Sequence, residues 1–169
     1  MTRDNARKIV AGYDVVADGA DNFATRYLVN DACVLEGKPL VSASILAFEG
    51  QLAVYNHDGG PCYRCLFPVP PPPGVVPSCA EGGVLGILPG VMGTLQATEV
   101  IKLVLGLGDV ASGRLVHYDA LALAFSNFNV ARDPRCAICG DSPDITELVD
   151  YDAFCGAGAS ANSLVPQLT

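Results

Sequence analysis

The chain has 169 residues, half of them apolar, and a formal net charge of −8. That length and apolar content suffice for one domain with its own core and exclude a chain disordered throughout. The acidic balance removes the counterion release that drives most nucleic-acid binding and sets the protein against anionic membrane surfaces, so neither nucleic acid nor membrane is an expected partner.

The first residues, MTRDNARKIVAGYD, place charges where a secretory signal needs an apolar run. Residues 13–17, YDVVA, read as a short buried strand ending in the turn-rich DGAD. From Asn22 onward Phe23, Tyr27, Leu28, Ala32 and Leu35 recur at helical spacing, and Gly37 and Pro39 stop the run. Asp21 therefore lies between a strand's end and a helix's start. Two readings stand for it: a cap on the helix, or a carboxylate that holds Mg²⁺ on a nucleotide, since ligands of open α/β sheets bind beyond the strands' carboxyl ends. Leu40 to Ala47 reads as a second strand, Phe48 to Gly50 as a turn, and Gln51 to Tyr55 as the returning strand. Strand, helix, strand and hairpin predict an α/β fold with a sheet of mixed direction.

A knuckle follows at residues 59–65, GGPCYRC, and then a proline-rich extended loop from Pro68 to Gly74. Residues 84–107 read as a long buried helix. Gln96, Glu99 and Lys102 tell against a membrane span there, and Pro89 is tolerable only in a first turn. Gly86, Gly90, Gly93 and Ala97 form a small-residue stripe that would let another helix or a sheet approach closely. Arg114 to Tyr118 and Leu121 to Val130 predict a hairpin, and residues 133–140, DPRCAICG, a second knuckle. The chain then turns polar and ends in the low-complexity GAGASANSLVPQLT.

Seven cysteines, an odd count without a secretory signal, argue against a disulfide framework. Four of them form two CxxC pairs, Cys62 with Cys65 and Cys136 with Cys139. Two intervening residues let both sulfurs of a knuckle face one point, and four thiolates suit tetrahedral Zn²⁺ with no position left open, which makes the expected zinc structural. Such a site can contribute on the order of 10 kcal/mol of folding free energy. The rivals are a redox pair, which normally opens a helix after a strand, and an iron–sulfur cluster; here Pro and Gly flank both pairs. Cys79 is unpaired and sits beside glycines ahead of the long helix. It is either a nucleophile whose thiolate a helix amino terminus favours or a buried apolar residue. No P-loop and no complete G-x-G-x-x-G is present.

Several segments together resemble the MoeB/ThiF/HesA family of ubiquitin-activating-type adenylyltransferases. The run Tyr13 to Asn22 with Phe23-Ala-Thr-Arg26 is similar to that family's Mg-ATP aspartate motif. The two knuckles are similar to its zinc knuckles, Cys79-Ala-Glu-Gly-Gly-Val-Leu-Gly to its cysteine segment, and Gly93 to Lys102 to the helix that follows. Ile145 to Tyr151 resembles the segment after the second knuckle. The resemblance implies a partial Rossmann-like ThiF-type domain with a four-cysteine zinc site at Cys62, Cys65, Cys136 and Cys139. Residues 1–140 would be the carboxyl-terminal part of that domain and residues 141–169 a mostly irregular tail.

The activity implied is adenylation of the carboxyl-terminal glycine of a ubiquitin-like sulfur carrier (MoaD- or ThiS-like), with ATP and Mg²⁺, for molybdenum cofactor or thiamine synthesis in the cytoplasm. Asp21 would hold the Mg²⁺, Asn22 would help place the nucleotide, and Cys79 would take the carrier covalently in some members. The family's glycine-rich nucleotide loop, ribose-binding acid and phosphate-binding Arg and Lys have no counterpart in this sequence. The expected partners are thus the carrier and either a second copy or a complementing amino-terminal half. The alternative expectation is a non-catalytic zinc-stapled module that binds a carrier or family partner.

Overall fold

The computed structural model describes residues 1–72, 75 and 82–157. Cys79, with the roles expected of it, lies outside the described residues, as do residues 158–169 at the end of the polar tail.

Five strands form one sheet in chain order: β1 (Val16–Asp18), β2 (Leu40–Leu46), β3 (Glu49–Tyr55), β4 (Arg114–Asp119) and β5 (Ala124–Asn129). β1 runs parallel to β2 and every later pair is antiparallel, so the sheet is mixed as its sequence pattern predicts. Among the described residues five helices accompany it: α1 (Ala6–Ala11), α2 (Phe23–Leu35), α3 (Tyr63–Leu66), α4 (Leu88–Leu105) and α5 (Tyr151–Ala157). The sequence pattern signalled neither α1 nor α5.

Alternation along the central strands sorts the core into two faces. Leu40, Ala53 and Tyr55 pack with Val10 of α1 and with Tyr27, Leu28 and Ala32 of α2. Their strand neighbours Val41, Leu52 and Val54 pack on the other face with Leu88 and Met92 of α4.

Three of the boundaries that differ from the sequence reading have a clear local reason. β1 starts at Val16 rather than Tyr13 because the Tyr13 N–H is spent on the Val10 carbonyl at the end of α1 (3.1 Å). Gly50 lies in β3 rather than in a turn, and the turn shrinks to Ala47 and Phe48, with Ala47 at φ 50°. A Cβ at Gly50 would fall 2.7 Å from Met92 Cγ, so the glycine lets α4 lie against the strand. The long helix starts at Leu88 rather than Val84, because Val84 forms a parallel bridge with Ala47. Pro89 then falls in its first turn and Gly106, at φ 63°, ends it.

The small-residue stripe is corrected too. Gly86, Gly90, Gly93 and Ala97 are exposed, and a Cβ at any of these three glycines would meet nothing within 4 Å. The stripe therefore faces outward, beside exposed Ile87, Ile101, Val104 and Leu105. Phe125 and Phe128 of β5 are exposed as well. Among the described residues no helix is long and apolar enough to cross a membrane.

Candidate functional site

Helix α2 organises two sites, one at each end. At its carboxyl end Val34 and Leu35 pack against a cluster built from Cys62, Cys65, Cys136, Cys139, Ile138 and Ile145. The four sulfurs lie within 4.8 Å of one another. Cys65 and Cys139 are 3.4 Å apart, Cys62 and Cys136 3.6 Å, and Cys62 and Cys65 4.0 Å. Tetrahedral zinc with Zn–S bonds of about 2.3 Å needs sulfurs about 3.8 Å apart, so this donor set has the spacing typical of a zinc site.

The backbone shapes each knuckle. The Cys65 N–H donates to the Cys62 carbonyl (3.0 Å) and the Gly140 N–H to that of Cys136 (2.9 Å). The Asp133 N–H donates to Cys65 Sγ at 3.4 Å, joining the second knuckle to the first. A Cβ at Gly140 would fall 2.7 Å from the Pro134 carbonyl oxygen and 2.8 Å from the Cys136 nitrogen, so this turn requires glycine. Hydrogen bonds from the other thiols, Cys62 first, lower the Cys139 thiol to about 5, against the effect of burial. The same bond, with burial, pushes the Cys62 thiol far up, while burial raises Cys65 to about 11. A metal entering this cluster must therefore displace protons.

A buried polar network fastens α2 to the first knuckle. Asn30 Oδ1 accepts the Tyr63 N–H (2.8 Å), and Asn30 Nδ2 donates to Asp31 Oδ1 (2.9 Å). Arg64 grips Asp31 with two parallel bonds, Nε to Oδ1 at 2.8 Å and Nη2 to Oδ2 at 2.7 Å. The Tyr151 hydroxyl donates to the same Oδ2 at 2.7 Å, bringing α5 into the network. Asp31 is fully buried and Arg64 is 3% exposed, its guanidinium lying 4.7 Å from the ring centroids of both Tyr27 and Phe154. Sequence reasoning missed this network. Its one signal is that Asn30 and Asp31 interrupt the otherwise apolar, buried run of α2 from Tyr27 to Cys33.

The second site lies at the amino end of α2. β1 ends at Asp18, and the three residues Gly19 to Asp21 lead to Asn22. Asn22, extended at φ −135° and ψ 150°, caps α2: its Oδ1 accepts the Thr25 N–H at 2.8 Å. Asp21 is therefore not the cap, which corrects that reading. Asp21 is exposed, and its one partner among the described residues is Asn22 Nδ2 at 3.3 Å. Behind it Asp18 Oδ1 accepts the Ala20 N–H at 3.0 Å. Burial raises the Asp18 carboxyl above its ordinary value of 3.8, while the Ala20 bond and the Arg26 charge pull it back. From α4, Gln96 Nε2 donates to the carbonyls of Asp18 (2.9 Å) and Val41 (2.8 Å), which belong to two parallel strands.

Asp21 and Asn22 thus stand together on an exposed loop at a parallel strand's carboxyl end, while the four cysteines stand together elsewhere. The thirteen residues of α2 separate the two sites, about 20 Å at 1.5 Å per residue. A metal held by the four cysteines would be too far away for Asp21 to ligate it.

A family model described as the ThiF family matches residues 1–138. The sulfur carrier protein adenylyltransferase of Thermus thermophilus is 57% identical over 161 residues, covering 92% of this chain and 59% of that protein. The adenylyltransferase and sulfurtransferase MOCS3 of Mus musculus is 57% identical over 161 residues, covering 95% of this chain and 35% of that protein. The chain thus spans between about a third and three fifths of these relatives. Among solved structures, E. coli MccB with MccA-N7isoASN superposes with a TM-score of 0.67 at 18% identity, covering 83% of this chain and 44% of that one. E. coli MccB with ATP superposes at 0.63 and 18% identity, covering 80% and 43%. At that identity the likeness is one of fold.

Proposed function

The chain belongs to the ThiF family, and from that premise we propose that it supplies the Mg²⁺-binding part of an adenylation site for a ubiquitin-like sulfur carrier of the MoaD or ThiS type. One observation carries the reading: Asp21 stands exposed at the carboxyl end of the parallel strand β1, where α/β sheets take their ligands, with only its neighbour Asn22 as partner among the described residues. The name of the Thermus relative supplies the chemistry. The carrier's terminal carboxylate attacks the α-phosphate of ATP; an oxygen–phosphorus bond forms, the bond to the β-phosphate oxygen breaks, and pyrophosphate leaves. Bound Mg²⁺ would offset the charge that develops on the phosphates. Asp21 holds that ion, Asn22 fixes Asp21 and the start of α2 beside the nucleotide, and Cys79 receives the carrier in any covalent transfer. The groups that grip the phosphates come from a second segment or polypeptide, because the sequence has no phosphate loop. The four cysteines take zinc as a structural staple. The products serve molybdenum cofactor or thiamine synthesis in the cytoplasm, where the thiols stay reduced.

A second reading has its own support. The outward stripe of α4 and the exposed Phe125 of β5, which lies on the α4 face of the sheet, give an apolar surface suited to a protein partner. That surface supports a homodimer, a complementing half, or a non-catalytic module that only binds the carrier.

ATP–pyrophosphate exchange with a Gly-Gly-tailed carrier separates the readings. The expected result is exchange once an amino-terminal half from a relative is added, lost in Asp21→Ala while the carrier still binds. Carrier binding without exchange under any condition leaves the binding module.

A further inference from the structure

Gln96 lies on the sheet-facing side of α4, four residues beyond Met92 and eight beyond Leu88, where an unpaired amide would be costly. Its Nε2 gives one hydrogen to the Asp18 carbonyl and the other to the Val41 carbonyl. These carbonyls belong to β1 and β2, which are paired there through Ala17 with Val41 and Asp18 with Ser42. No apolar side chain can satisfy both. The Asp18 carboxylate then holds the Ala20 N–H, so Asp18 is fixed through both its main chain and its side chain. On the far side the Asn22 cap fixes the start of α2. Only Gly19, Ala20 and Asp21 lie between these two anchors.

We propose that Gln96 and Asp18 are positioning residues for the adenylation site: through the strand end and the Ala20 amide they set the short loop that presents Asp21. The inference rests on the assignment of Asp21 to nucleotide-bound Mg²⁺. It extends that site to α4, an element that reaches the strand end from the opposite face of the sheet. Fixing the loop beforehand spares the site the entropy of ordering it when the nucleotide arrives.

The test uses the full chain supplemented with the amino-terminal half from a relative, Gln96→Met as the near-isosteric loss of the amide, and Asp18→Ala against Asp18→Asn. Amide hydrogen exchange reads the loop, and paramagnetic broadening by Mn²⁺-ATP of the amides of residues 19–22 reads the site. Gln96→Met and Asp18→Ala are expected to speed exchange of the Ala20 amide roughly tenfold. They are also expected to weaken Mn²⁺-ATP binding at the loop about tenfold, the usual cost of losing a group behind a metal ligand. Asp18→Asn, which keeps the acceptor oxygen, retains the Ala20 protection, and exchange within α2 beyond Thr25 stays at the wild-type rate in all three. Broadening in the wild type with equal Mn²⁺-ATP affinity in Gln96→Met overturns the inference alone. Unchanged Ala20 protection in Gln96→Met also overturns it. No broadening in the wild type, with Asp21→Ala indistinguishable from it, removes the Asp21 assignment and the inference with it. Should Gln96→Met not fold, the contrast between Asp18→Ala and Asp18→Asn decides by the same two readouts.

Discussion

At the carboxyl end of α2 the reactive groups are buried and committed to one another: four thiols converge, and Asp31, Arg64, Asn30 and Tyr151 share one closed network. At its amino end Asp21 stands in solvent with one weak partner among the described residues. The same helix thus has an end whose polar groups are committed to the fold and an end whose carboxylate is exposed. On the proposed reading, a staple about 20 Å from the exposed carboxylate would make the scaffold rigid without occupying the donors of the nucleotide site. Each experiment below asks whether the two ends are as independent as they look.

Removing the metal is expected to have the largest effect. Zinc should be retained through purification at one ion per chain. Chelation, or Cys62→Ser, should cost much of a binding free energy on the order of 10 kcal/mol and abolish cooperative unfolding near room temperature. Acid should do the same, because protons compete with the metal for the thiolates. Metal content followed by mass spectrometry during a pH titration checks this, and a protein that melts cooperatively without metal breaks the comparison at its stronger end.

The network ranks second. Asp31→Ala leaves the Arg64 guanidinium buried between Tyr27 and Phe154 without its carboxylate, at an expected cost of about 3–5 kcal/mol in urea unfolding. Arg64→Met combined with Asp31→Leu should recover only the part of that loss owed to the unpaired charge, because the Asn30 amide and the Tyr151 hydroxyl still lose their acceptor. If the network serves only the knuckle end, the double variant binds Mn²⁺-ATP at the loop as the wild type does.

How much of this was legible follows from the range of each signal. The four metal-site cysteines carry their geometry in local spacing, and two local patterns are enough to bring distant segments together. Asp21 was legible as a residue between a strand and a helix, yet its neighbour took the cap, because the extended backbone falls at Asn22 and puts that side chain on the Thr25 N–H. Gln96 was read only as a residue unfit for lipid. Its partners lie 78 and 55 residues away, and nothing local announces two carbonyls in need of donors. Tyr151 likewise meets Asp31 across 120 residues. The small-residue stripe of α4 was visible, but periodicity does not say which side of an apolar helix meets the sheet, and the glycines face outward.

The cap gives the third test. Asn22→Ala should cost about 1 kcal/mol, and Asn22→Ser should restore most of it. Because Asn22 also donates to Asp21, the alanine variant should weaken Mn²⁺-ATP binding more than its small stability loss would suggest, whereas the cysteine cluster should keep its metal.

The smallest expected effect sits on the buried carboxylate at the open end. Burial is the largest influence on Asp18 and raises its pKa above 3.8; the Ala20 N–H and Arg26 oppose it without cancelling it. With the folded value above the unfolded one, the folded chain binds the proton more tightly. Stability from this group is then fully present below 3.8 and is lost as the pH rises through the folded value. Asp18→Asn removes the charge and keeps the oxygen that Ala20 needs. It should therefore raise the unfolding midpoint at pH 7, and the gain should shrink as the pH falls toward the folded pKa. Wild type and variant are compared at equal metal content at each pH, so that the cysteine cluster contributes equally to both. A variant less stable than the wild type at pH 7 would mean that the attraction of Arg26 for the charged carboxylate outweighs its burial. The open end of α2 would then rest on an ion pair, as the closed end does, and the contrast between the two would narrow to exposure alone.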